Sequence, residues 1–209
     1  MKHPHVSPNP GRNKRPRFMR DVTILVSADD NCPFCGGIGH PKNLDHYLPK
    51  ANFPQYSILP ANLIPCCRDC NTEKKNAVAQ TLGGQSLHPY LDKSKYFTEQ
   101  WVCASVSHSD PVSLRFFAKP PGQWSLQEQQ RVNSHFREYG LAGRFGIEAG
   151  RELATLTHLR KKILSKMSTQ SFQNYLTDVA SDNALRLNDW KRVMYQTLAS
   201  DQQFCSYSF

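Results

Sequence analysis

Residues 43–76 read "NLDHYLPKANFPQYSILPANLIPCCRDCNTEKKN". An acid stands beside an imidazole, Asp45-His46, ahead of a lone Asn62 and a Cys-x-x-Cys-Asn run that ends in lysines. A histidine with one ring nitrogen held by a carbonyl can offer the other to a water as general base near neutral pH. Carboxylate and amide oxygens are hard donors, so Asp45 and Asn71 suit Mg2+ or Mn2+. Together these groups have the parts for phosphodiester hydrolysis: an activated water, and a cation against the charge on the departing oxygen. Each also has an ordinary explanation. A lone Asp-His is often a polar turn, Asn71 could cap a helix, and Lys74 and Lys75 could form a solvated face.

The cysteines carry a sharper signal. "CPFC" supplies Cys32 and Cys35, and "CRDC" supplies Cys67 and Cys70. Two such pairs, separated by a loop of about thirty residues, can set four thiolates tetrahedrally around one Zn2+. Buried apolar cysteines or a redox pair would explain one pair but not two in so short a span. Cys66 is also near enough in sequence to share an ion, but Cys67 repeats the spacing of the first pair. Cys103 and Cys205 read as packed or free thiols. A closed four-thiolate site has no open position, so its metal would fold the chain and do no chemistry.

Positioning follows from the spacing. "RDCNTEKKNAVAQ" predicts a helix starting near Arg68, with Asn71, Lys74 and Lys75 on one face. Adjacent strand residues point to opposite faces, so a strand end or bulge must turn Asp45 and His46 toward one cleft. Zinc would tie the helix start to the region before Asp45-His46 and so fix the distance from Asp45 to Asn71.

In this order, "CPFC…LDHYLPK…NLIPCCRDCNTEKKN" resembles an HNH endonuclease in its zinc-containing ββα-metal form, over about residues 30–80. The resemblance implies a DNA hydrolase cutting one strand per site. It makes His46 the family's first histidine, and Asn62 the central asparagine that braces the loop carrying His46. It makes Asn71 the last motif position, where many members carry a second histidine; the metal site is then poorer in nitrogen. With a phosphate-cleaving site on the same helix, Lys74 and Lys75 become candidates for backbone phosphate contact, with Lys50 and Arg68 weaker ones. "LHPYLD" (87–92) is similar to a His-Pro-Tyr segment after the core of some bacterial defence nucleases, Septu-type ones among them. His88 there either reaches the catalytic metal or packs. As the nuclease subunit of such a defence pair, the chain would dock an ATPase partner on its C-terminal helices; a homo-oligomer through the same helices is the other expectation. A zinc-ribbon nucleic-acid-binding module that does not cut is the alternative, and Asp45 with His46 discriminate, since binding alone needs no base beside a carboxylate.

The rest of the chain supplies the setting. A net charge of +9 and a pI near 9.3 over 209 residues favour polyanionic partners, nucleic acid first. No apolar run approaches the roughly 20 residues that cross a bilayer, so no membrane partner is expected. The basic first twenty residues lack the apolar core of a secretory signal, of about 7–15 residues, and a reducing cytoplasm is the expected compartment. "DVTILVS" (21–27) reads as a short strand; "EQWVCASVSH" and "PVSLRFFAK" read as a hairpin turning at Ser109, Asp110 and Pro111. Ser125 and Glu128 form a capping box ahead of Val132, Phe136 and Tyr139. Apolar spacing predicts further helices through Leu153–Met167, Phe172–Val179 and Leu187–Leu198. The expected fold is α+β: a disordered basic arm over 1–20, a zinc-stapled ββα-metal HNH module over 21–97, then a hairpin and a mainly helical extension over 98–209.

Overall fold

The computed structural model describes residues 31–74 and 78–206, so the basic arm, the "DVTILVS" strand and Lys75 lie outside the described residues. Strand β1 (Asn43–His46) pairs antiparallel with β2 (Leu63–Cys66), Asn43 facing Cys66 and His46 facing Leu63. Helix α1 (Arg68–Lys74) follows directly, with Asp69 in its first turn and Lys74 in its last, each complementing the helix dipole. The loop between β1 and β2 folds back through two single 3-10 turns, Pro54–Tyr56 and Pro60–Asn62. Each opens on a proline, whose fixed φ suits the first helical position.

A short helix α2 (Lys95–Thr98) leads into the hairpin of β3 (Val102–Ser107) and β4 (Ser113–Ala118), with Val102 opposite Ala118. The hairpin falls where the alternating pattern put it. Helix α3 (Leu126–Glu138) opens on the expected reciprocal capping box between Ser125 and Glu128 and buries Val132, His135 and Phe136. Helix α4 (Leu141–Lys162) crosses β4, α5 (Thr169–Ala180) packs on α6 (Trp190–Ser200), and α6 lies against β3. A short α7 (Gln202–Ser206) ends the described residues. The result is a mixed fold of helices and two small antiparallel sheets around one apolar cluster.

Two helices differ from the apolar spacing. Helix α4 begins well before Leu153, because Leu141, Phe145 and Ala149 continue its buried stripe through a glycine-rich stretch that propensity disfavours. Its far end stops short of Met167, with Ile163 as an exposed cap. Leu187 precedes α6, because Asp189 caps that helix through Lys191 N–H at 2.7 Å. Among the described residues no helix is long and apolar enough to cross a membrane.

Candidate metal centre and the adjoining acid–histidine pair

Cys32, Cys35, Cys67 and Cys70 are all buried, and their sulfurs lie within 4.8 Å of one another. Four Zn–S bonds of about 2.3 Å put tetrahedral sulfurs about 3.8 Å apart, and Cys35 and Cys67 Sγ are separated by 3.9 Å. The donor set and its size fit: these four cysteines could hold a zinc ion. The first knuckle turns back through Gly36 and Gly37 at φ +63° and +104°, a conformation other residues rarely adopt, and Cys32 N–H donates to Gly39 O at 3.0 Å. The second knuckle is the start of α1, where Cys70 N–H points at Cys67 Sγ at 3.4 Å. Hydrogen bonds from Cys35, then from Cys66, Cys67 and Cys70, hold the Cys32 thiol below its usual range while the same contacts push Cys35 and Cys70 up, so the sulfurs share their protons as one cluster. Cys66, the rival fourth ligand, instead turns its thiol to Cys67 O at 3.2 Å.

His46 ends β1, where its Nε2 donates to Ser57 O at 3.0 Å. A carbonyl only accepts, so Nε2 carries the proton and Nδ1 keeps its lone pair. Asn62 is 4% exposed. Its Oδ1 accepts from Leu48 N–H at 2.6 Å, and its Nδ2 donates to Leu48 O and Tyr56 O, both at 3.1 Å. One side chain therefore clamps both arms of the loop that supplies the Ser57 carbonyl.

Lys74 departs from the solvent-facing placement its position suggested. Its side chain is 4% exposed, and Nζ donates to Asp45 Oδ2 at 2.9 Å and to His46 O, beneath the Tyr47 ring. The reason is local: α1 lies across the end of β1, and an aliphatic stem long enough to cross that gap buries its length while its ammonium finds the carboxylate. Asn71 sits one turn earlier on the same helix and is exposed, as are Lys50 and Arg68. The structure thus joins Asp45, His46 and Lys74 directly, and joins α1 to Asp45 through Lys74.

Breaking a buried pair strands the remaining charge and costs about 3–5 kcal/mol. Lys74→Ala should therefore lower the unfolding free energy by about that much in urea titrations, while Lys50→Ala stays within about 0.5 kcal/mol. Unchanged stability with a shallower salt dependence of DNA binding would return Lys74 to phosphate contact.

His88 has both ring nitrogens engaged. Nε2 donates to Ala61 O at 2.9 Å, and Nδ1 accepts from Tyr90 and Leu91 N–H at 3.2 Å each. Burial holds it neutral, its ring lies 4.5 Å from Tyr47, and it braces the loop with no nitrogen lone pair left for a metal. The "LHPYLD" segment is in turn held by Arg131 of α3, which forks onto the Asp92 carboxylate and reaches Ser86 O at 2.8 Å.

Three residues of the helical half escaped the sequence reading because no local spacing links them to the motif. His135 is buried between the halves: Nε2 donates to Phe34 O at 2.9 Å and Nδ1 accepts from Leu87 N–H at 3.1 Å. Burial of Glu138 pushes its carboxyl up, while the charge of Lys74 pulls it down, so α3 brings a carboxylate near the Lys74–Asp45 pair. Arg144 of α4 reaches Cys70 Sγ at 3.1 Å.

Burial pulls His135 down from 6.5 to about 4. The folded state refuses a proton that the unfolded chain accepts. This contribution is therefore intact above pH 6.5 and shrinks as pH falls from there toward 4, by up to about 3 kcal/mol. In an NMR titration the His135 ring signals should stay those of the neutral tautomer down to about pH 5. A midpoint near the ordinary value of 6.5 would show the ring to be solvated.

Comparison with known proteins adds one relative. The chain is 40% identical over 205 residues to protein ea31 of Escherichia phage lambda, an alignment spanning 92% of this chain and 69% of that protein. No family model matches the chain, and no solved structure matches it.

Proposed function

We propose, for a chain that belongs to the family of phage lambda protein ea31, the activity of a metal-dependent HNH endonuclease on DNA. One observation carries the reading. His46 follows Asp45 at a strand end, with Nε2 fixed on Ser57 O and Nδ1 left as a base, in a strand–strand–helix unit whose helix begins inside a four-cysteine cluster. Structural zinc in that cluster would set α1 against β1 and leave the chemistry to the neighbouring groups.

In the proposed step, a water gives its proton to His46 Nδ1 as its oxygen bonds to phosphorus. The bond from phosphorus to the 3′ oxygen breaks, that oxygen takes a proton from a solvent water to give a 3′ hydroxyl beside the 5′ phosphate, and His46 returns its own proton to solvent. Asp45 and Asn71 would hold Mg2+ or Mn2+, whose charge supports the departing oxygen. Asp45 gives Oδ2 to Lys74, so Oδ1 would be the oxygen offered to that ion. Asn62 keeps the carbonyl that orients His46 from moving. The exposed Lys50, Arg68 and Asn71 leave a polar, partly basic surface for the phosphate backbone.

One observation favours the non-cleaving alternative. Lys74 already neutralises Asp45, and a binding module has no use for a second cation there. A plasmid-nicking assay separates the two. The zinc-loaded protein should nick with Mg2+ or Mn2+, stop when a chelator is added, and lose activity in His46→Ala, which leaves the Lys74–Asp45 pair intact. DNA binding that falls steeply with salt but never yields a nick under any metal would establish the alternative.

A further inference from the structure

The helical half does more than pack beside the cysteine cluster. The corner between α3 and α4 is seated on it. Tyr139 stacks on Phe34, the central aromatic residue of the first knuckle, at 4.8 Å and 20°. Gly140 then takes φ +58°, which turns the chain so that α4 leaves toward the second knuckle. Four residues on, Arg144 reaches the thiols: Nη1 lies 3.1 Å from Cys70 Sγ, and Nη2 lies 3.8 Å from Cys67 Sγ and 3.7 Å from Asp69 Oδ2. Nη1 also donates to Tyr139 O at 3.4 Å, fixing the guanidinium to the corner it comes from. The side chain is 16% exposed.

We propose that Arg144 is the charge-compensating residue of the cysteine site, and that this chain retains zinc only with its helical half in place. The inference rests on zinc occupancy and not on nuclease activity. Zinc bound by four thiolates carries a net charge of −2 into a site where the sulfurs are almost wholly shielded from water. A buried charge needs a partner, and among the described residues Arg144 is the cation that hydrogen-bonds these sulfurs. Arginine suits the task because its planar fork can address two sulfurs and a carboxylate at once, whereas lysine offers one compact charge. N–H···S bonds also draw electron density from the thiolates, which slows their protonation and so the escape of the metal.

The test uses the full-length zinc-loaded chain, with Arg144→Gln and Arg144→Lys. Zinc transfer to a chromophoric chelator at neutral pH should quicken about 10–100-fold in Arg144→Gln and by an intermediate factor in Arg144→Lys. After cobalt substitution, the thiolate-to-metal charge-transfer band should move to lower energy in both variants, because stronger sulfur donors give up an electron more easily. A packing role would not move that band. Wild-type release kinetics and an unshifted band in folded Arg144→Gln would overturn the proposal. So would a wild-type chain that takes up neither zinc nor cobalt. If Arg144→Gln fails to fold, the Arg144→Lys band position decides alone.

Discussion

Replacing His46 by alanine should reduce plasmid nicking about 10²–10⁴-fold while leaving DNA affinity and thermal stability close to wild type. The size follows from what one positioned base contributes, and the selectivity follows from the site's construction. His46 is half-buried, and its one fixed bond goes to Ser57 O. That carbonyl sits in a loop held independently by Asn62 through Leu48 and Tyr56. Removing the imidazole therefore frees one acceptor near solvent and leaves the loop anchored. Added imidazole should restore part of the rate, since the water still needs a base and the space is now open. Asn62→Ala provides the contrast. It strands buried groups at Leu48 and Tyr56, so stability falls along with activity, and imidazole does not rescue it. Nicking by His46→Ala at the wild-type rate would remove the histidine from the chemistry and the proposed reaction with it.

The parts of this arrangement that lie close in sequence were legible there, and the parts that depend on distant contacts were not. The cysteine pairs announce themselves because two short spacings repeat, and the structure brings those four sulfurs together. The hairpin and capping box were readable because a period of two and a reciprocal Ser–Glu pair are local codes. Lys74 was harder. Its helical face follows from spacing, but whether that face meets water or β1 depends on how α1 is set down, and α1 starts inside the cysteine cluster. Arg131, His135 and Arg144 carry no local signal at all. They matter through bonds to Asp92, Phe34 and Cys70, residues tens of positions away in sequence. The helical half looked like an extension because its own periodicity is self-sufficient. Its contacts make it a wall of the cysteine cluster.

If the four-cysteine cluster holds zinc, loss of one of its sulfurs should be the most damaging single change in the chain. Structural zinc contributes about 10–16 kcal/mol of apparent binding free energy, comparable to the whole stability of a typical domain at about 5–15 kcal/mol. In Cys35→Ser the strand–strand–helix unit then has only two four-residue strands and one seven-residue helix to hold it, too little to persist alone. Amides over 43–74 should lose their exchange protection, and the cooperative melt should disappear for that half. The three tryptophans, Trp101, Trp124 and Trp190, all belong to the later half, so their emission reports whether α3 to α6 stay folded. With His135 and Arg144 deprived of Phe34 O and the thiolates, that emission should shift as well, linking the two halves. Cys66→Ser is the matched control. Its thiol is directed to Cys67 O, so metal uptake and the cooperative melt should survive with a loss near 1 kcal/mol. A Cys35→Ser chain that melts in one step at the wild-type temperature would mean the cluster binds no structural metal. A Cys66→Ser chain that loses the metal would move the fourth ligand from Cys67 to Cys66, and α1 would have to rotate to follow it.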